Sequence, residues 1–150
     1  TGGEPLIQEK FDELLIYLNA QKDFSIEIET NGSIDITPYK LLDLENVSFT
    51  VDFKLPLSGM TDKMEDACFE SVDYNDTVKF VISDKEELPK VKEILDRFDL
   101  KKKTQVFLSP VFGVMNPVDV INFMKENYLN QVRLLIQLHK IIWNPEKRGV

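Results

Sequence analysis

Between residues 47 and 54 apolar and polar side chains alternate without a break: Val47, Phe49, Val51 and Phe53 against Ser48, Thr50, Asp52 and Lys54. Successive strand residues point to opposite faces, so this is a strand with one apolar face and one ionisable face. The pattern recurs. Ile26 and Ile28 oppose Glu27 and Glu29; Val78, Phe80 and Ile82 oppose Lys79 and Ser83; Val132, Leu134, Ile136 and Leu138 oppose Arg133, Gln137 and His139. A shorter strand is expected at 105–108, and Val81, Phe107 and Leu135 interrupt the polar side. Helix-patterned segments at 5–21, 84–98 and 116–127, with a short piece at 38–44, lie between the strands. Strands alternating with helices imply crossover connections and a mainly parallel α/β sheet. Parallel sheets covered on both faces read as unbroken apolar runs, and these strands do not. Burying so many unpaired charges in a packed interior would cost about several kcal/mol each, so the polar face is expected to line a wet or ligand-filled concavity. A sheet with one solvated face is the plainer alternative.

Composition narrows the function classes. The 150 residues are 43% hydrophobic and 29% charged, enough for one domain spanning 1–150, and unlike a disordered chain, a collagen or a disulfide scaffold. Eighteen Lys and Arg against 26 Asp and Glu leave a net charge of −8, and the only basic run is Lys101-Lys102-Lys103. Nucleic acid is therefore not an expected partner. No apolar stretch approaches the roughly 20 residues of a membrane span, and no signal peptide is seen, so no membrane partner is expected either. Cys68 stands alone, which points to a reducing, cytoplasmic location. The acidic stretch 60–76 reads as a weakly packed helix around 62–71.

Four motifs fall where strands should end. Thr1-Gly2-Gly3-Glu4-Pro5 sits before a helix start, where glycines admit close backbone approach and Glu4 can accept from an ammonium. Glu29-Thr30-Asn31-Gly32-Ser33 ends a strand in an Asn-Gly pair able to take positive φ. Each serves equally as an ordinary turn. Asp52-Phe53-Lys54 places opposite charges on one face; a surface ion pair is the bland alternative. Gln137-Leu138-His139-Lys140 carries the lone histidine, a type more often structural than catalytic. Parallel α/β folds gather ligands at the carboxyl ends of their strands, which favours a site. No Ser-His-Asp, HExxH or P-loop pattern is present.

Taken in order, TGGEP at 1–5, ETNGS at 29–33, VDFKLPLSG at 51–59, LSPVFG at 108–113 and QLHKIIW with a closing RGV resemble the 7-carboxy-7-deazaguanine synthases across essentially all 150 residues. These are radical S-adenosylmethionine enzymes of queuosine and deazapurine biosynthesis. The resemblance implies a partial (β/α) barrel of the radical SAM type. Its lumen would hold S-adenosylmethionine, a 4Fe-4S cluster, Mg2+ and a reduced pterin. In that chemistry the cluster cleaves the sulfonium, and the adenosyl radical takes a hydrogen atom from 6-carboxy-5,6,7,8-tetrahydropterin. Ring contraction then gives 7-carboxy-7-deazaguanine. Carried over by position, the cofactor-binding residues are Gly2, Gly3, Glu4, Thr30, Asn31, Asp52, Phe53, Lys54, Ser109, Pro110, Val111 and Phe112. Glu4 matches the acid that supports the first loop. The substrate-binding candidates are Thr1, Gln137, His139 and the terminal Val150.

One departure is large. Three cluster cysteines and a magnesium-binding threonine are expected in a loop after the first strand, and a single distant cysteine cannot replace them. The chain therefore reads as a C-terminal fragment truncated within the barrel and inactive by itself, with no metal ligands or catalytic residues of its own. Its strand at 25–30 should be an exposed edge that promotes self-association, beyond the homodimer expected of the parent. A fragment of a glycyl-radical activating enzyme, which shares similar T-N-G and D-x-K motifs, and a cluster-free binding domain of the same fold are the alternatives.

Overall fold

In the computed structural model, which describes residues 3–147, the strands are β1 (Ile26–Thr30), β2 (Val47–Phe53), β3 (Thr77–Ile82), β4 (Gln105–Pro110) and β5 (Val132–Leu134). They form one sheet in the order β1-β2-β3-β4-β5, parallel at every pairing. The helices are α1 (Phe11–Asn19), α2 (Thr37–Lys40), α3 (Asp66–Ser71), α4 (Leu88–Arg97), α5 (Leu100–Lys103), α6 (Pro117–Glu126) and α7 (Leu138–Ile142). This is the parallel α/β sheet that the alternating strands and helices predict, and it is consistent with the partial β/α fold that the resemblance implies.

Register explains the two faces. Val51, Val78, Val106 and Val132 lie side by side, and the next apolar row is Phe53, Phe80, Leu108 and Leu134. Onto this face α4 buries Leu88, Val91, Ile94 and Leu95. On the opposite face Glu29, Thr50, Thr77 and Gln105 form one row, and Asp52, Lys79, Phe107 and Arg133 the next. The polar face spans the sheet, interrupted at Phe107.

Four sequence expectations need correction. The helix read over 5–21 is a 3-10 turn at Pro5–Ile7 and then α1, separated at Lys10, which takes a left-handed φ of 61°. The stretch 60–76 is not loosely packed. Its α3 drives Cys68 and Phe69 fully into the core, with the Phe69 ring 5.0 Å from Phe53 and 5.6 Å from Phe98. The helix at 116–127 reads with Val118, Ile121, Phe123 and Met124 as its apolar side chains, but in α6 the fully buried one is Val120, while Val118 is exposed.

The fourth correction touches the site. Pairing of β5 ends with the Leu135 N–H donated to Leu108 O. Pro110 on the neighbouring strand has no N–H to extend the ladder, and the Val111 N–H turns back to Ile82 O. The chain therefore leaves the sheet before Gln137, and His139 lies on α7. Ile136 and Leu138, expected to face inward, are exposed.

Candidate functional site

Because all strands run the same way, the ends at Thr30, Phe53, Ile82, Pro110 and Leu134 define one edge of the sheet. Most of the sequence-selected residues collect there. Glu4 is buried and divides its carboxylate among the protein's own donors. Oε1 accepts from Thr30 Oγ1 at 2.9 Å and the Leu6 N–H at 3.2 Å, while Oε2 accepts the Asn31 N–H at 2.8 Å. The first loop is thus fastened to the end of β1, leaving Gly3 exposed at φ +81°. Asn31 Oδ1 accepts the Ser33 N–H, closing the turn. Gly32 is required here: its φ is +74°, and a Cβ would meet Asp52 O at 3.0 Å and Phe69 Cζ at 3.1 Å. That close approach presses the Asn31 turn against the end of β2.

On the polar face Asp52 serves two ammonium groups. Lys54 Nζ donates to Oδ2 at 3.1 Å; Lys79 Nζ lies 3.1 Å from Oδ1, off the hydrogen-bonding direction. Two cations thus share one carboxylate, with Glu29 in the adjacent row of the same face. The Lys54 backbone is fixed by Thr61 Oγ1, which donates to its carbonyl at 2.9 Å. Phe53 points the other way, into the core against Phe69 and Phe80, so only its backbone reaches the edge.

The third loop follows β4. Ser109 and Pro110 are buried, whereas Phe112 is exposed and donates its N–H to Gln137 Oε1 at 3.1 Å. Gln137 therefore reaches this edge from outside the strand. Together Pro110, Phe112, Met115, Ile136, Gln137 and Ile141 bound an apolar pocket of about 270 Å³. His139 is exposed on α7, with no side-chain hydrogen bond among the described residues. Thr1, Gly2 and Val150 lie outside the described residues.

Sequence reading missed Glu87. It is buried, accepts the Ser83 N–H and Oγ at 2.9 and 3.0 Å, and accepts the Leu57 N–H at 3.1 Å. It ties the loop after β3 to the loop after β2, as Glu4 ties the first loop to β1. Asp76 is the counterpart at the opposite, amino edge, where its carboxylate accepts from the Phe49 and Asp73 N–H groups and from Lys40. Burial opposes the Lys40 charge, but hydrogen bonds and charge from Asp73 and Asp76 outweigh it and raise the Lys40 pKa. Desolvation likewise opposes Asp73 ionisation, yet the hydrogen bonds from Lys40 and the Asn75 N–H lower its pKa.

The metal-binding capacity of these residues is small. Burial pushes the Cys68 thiol up to about 11, and its Sγ donates to Ile34 O at 2.6 Å. Such a thiol is a structural group rather than a ready thiolate ligand. Among the described residues no three His, Cys, Asp or Glu side chains come together as a metal site. Nor is any helix there long and apolar enough to cross a membrane.

A parallel sheet with helices on one face, an ionisable opposite face and stapled loops along its carboxyl edge defines a partial β/α enzyme scaffold. Comparison with known proteins makes the assignment specific. The chain is 47% identical over 151 positions to a 7-carboxy-7-deazaguanine synthase of Clostridium acetobutylicum, covering 100% of this chain and 67% of the relative. It is 32% identical to a protein of the same name from Koribacter versatilis, over 100% of this chain and 70% of that one. A Leptospira interrogans synthase is 34% identical, with 100% and 65% covered. No family profile matches. The chain belongs to the 7-carboxy-7-deazaguanine synthase family and spans about two thirds of the length of these relatives.

Proposed function

We propose that this protein works as a radical S-adenosylmethionine lyase that makes 7-carboxy-7-deazaguanine from 6-carboxy-5,6,7,8-tetrahydropterin, the carboxyl edge holding the cofactor and the polar face the pterin. The observation that carries the reading is the edge itself: the loops chosen from sequence lie along it, the first held to Asn31 after β1 and the third to Gln137 after β5, with the Lys54-Asp52-Lys79 cluster on the polar face.

The residues present fit S-adenosylmethionine. Its methionine end carries a carboxylate and an ammonium, which suit a lysine ammonium for the first and the Asp52 and backbone acceptors for the second. Its flat adenine suits the apolar pocket behind Phe112 and Ile136. Glu4 acts as an organiser of the loop, since three of its acceptor positions are already taken by Thr30, Asn31 and Leu6. When bound with a reduced iron–sulfur cluster, S-adenosylmethionine supplies one-electron chemistry that side chains lack. The work of this chain is to bind, orient and exclude water.

A 4Fe-4S cluster does not fit these residues: such clusters need several thiolates, and Cys68 is alone and buried. For Mg2+, the resemblance places its protein ligand beside the cluster cysteines. Both groups, in this reading, take their ligands from polypeptide beyond these 150 residues. The lone buried thiol also supports a reducing compartment such as the cytoplasm. The β1 edge, outermost among the described strands, would pair with a second copy when these 150 residues are the whole polypeptide in solution.

The test uses full-length protein, reconstituted anaerobically with iron and sulfide, reduced, and supplied with S-adenosylmethionine, Mg2+ and 6-carboxytetrahydropterin. Formation of 7-carboxy-7-deazaguanine, detected by mass, is the expected result. A cluster-loaded enzyme that cleaves S-adenosylmethionine but leaves the pterin intact would overturn the reading. Transfer of the radical to a protein glycine would instead establish an activating enzyme.

A further inference from the structure

Lys54 lies one residue past the point where its strand stops being held. The last pairing of β2 with β3 is Phe53 with Phe80, while β3 runs on to Ile82 beside β4. Beyond Phe53 the chain folds back on itself. Thr61 Oγ1 donates to the Lys54 carbonyl at 2.9 Å, the Lys54 N–H donates to Met64 Sδ at 3.3 Å, and Ser58 Oγ donates to Leu55 O at 2.5 Å. These contacts shape the loop without attaching it to β3. Glu87 attaches it. Its Oε1 accepts the Leu57 N–H at 3.1 Å, and its Oε2 accepts both donors of Ser83, the residue that follows β3.

The bonds to Ser83, four residues back, are local capping at a helix start. The bond to Leu57 is not, since it spans 30 residues and joins two loops of the carboxyl edge. Glu87 is 3% exposed, and all its hydrogen-bond donors among the described residues are neutral. A buried carboxylate without a cation is costly, so two acceptor oxygens must be what this position requires. An amide of the same size would turn its NH2 toward an N–H. We infer that Glu87 is a positioning residue, acting through Leu57 and the loop behind it to place the Lys54 ammonium against the carboxylate of the methionine end. The assignment rests on the S-adenosylmethionine reading above and adds to it a residue that touches no ligand.

The experiment uses equilibrium dialysis of full-length, cluster-reconstituted protein against S-adenosylmethionine and against 5′-methylthioadenosine, which lacks the charged methionine end. Wild type is expected to prefer S-adenosylmethionine. Glu87→Gln should weaken S-adenosylmethionine about five- to tenfold, while methylthioadenosine stays within about twofold. Glu87→Asp keeps two acceptor oxygens on a shorter arm. It should recover part of the loss but not all, and it carries the comparison where the glutamine variant does not fold. With Lys54→Ala already in place, Glu87→Gln should change S-adenosylmethionine affinity by less than about twofold. A folded variant of either kind that keeps the wild-type preference overturns the assignment, leaving Glu87 a helix cap. Equal weakening of both ligands overturns it too, as does an undiminished effect beside Lys54→Ala. A wild type that shows no preference for S-adenosylmethionine overturns the cofactor reading itself, and this assignment with it.

Discussion

Two buried glutamates do the same work at opposite parts of the carboxyl edge, and only one of them stands out in the sequence. Glu4 lies in a glycine-rich loop before Pro5, where an acid in reach of free N–H groups has an evident purpose. Glu87 sits in Asp84-Lys85-Glu86-Glu87, which has the composition of a solvated first helical turn. Its partner Leu57 is 30 residues away, a pairing that only the fold creates. Asp76 was hidden for the same reason, because the Phe49 N–H that it accepts is 27 residues distant. Glu4→Ala removes three hydrogen bonds from largely buried donors and should cost about 2–3 kcal/mol, given that such bonds are not additive. A denaturant melt of full-length protein checks it. The same variant should bind S-adenosylmethionine about tenfold more weakly, because the loop loses its anchor. Unchanged affinity in a folded Glu4→Ala protein would remove the organising role.

Among elements, the period-2 strands were the most legible part of the chain, since alternating residues report two faces directly. Their register also carries the polar rows that define the site. The ends of elements were less legible. The alternation of 132–139 continues past the point where Pro110 stops the ladder, so periodicity alone draws the last strand five residues too far, through His139. The helix α3 shows the opposite failure. Its acidic neighbours suggest exposure, yet Phe69 wedges between Phe53 and Phe98 and also limits the space at Gly32. Phe69→Ala should destabilise the protein by about 3–5 kcal/mol, read from the shift of a urea midpoint. A loss below about 1 kcal/mol would mean that α3 is peripheral to the core.

Across the whole molecule the two edges of the sheet divide stability from binding. The amino edge carries the Asp76-Lys40-Asp73 cluster. The Asp73 pKa is depressed by folding, so its contribution is present above the ordinary aspartate value of about 3.9 and is lost as pH falls through the lower folded value. The Lys40 pKa is raised, so its contribution is complete below about 10.4 and is lost as pH rises through the higher folded value. Between about pH 5 and 9 this pair should leave the melting temperature flat. Asp73→Asn should flatten the acid limb of the curve, and an unaltered limb would exclude Asp73 as its source. The carboxyl edge, in contrast, is where ligand should act. Hydrogen exchange of full-length protein with and without S-adenosylmethionine tests that division most directly. Slower exchange is expected in residues 29–33, 52–59 and 109–115, with residues 73–76 at the amino edge unchanged. Protection confined to the amino edge, or none at the carboxyl edge with ligand bound, would contradict the account.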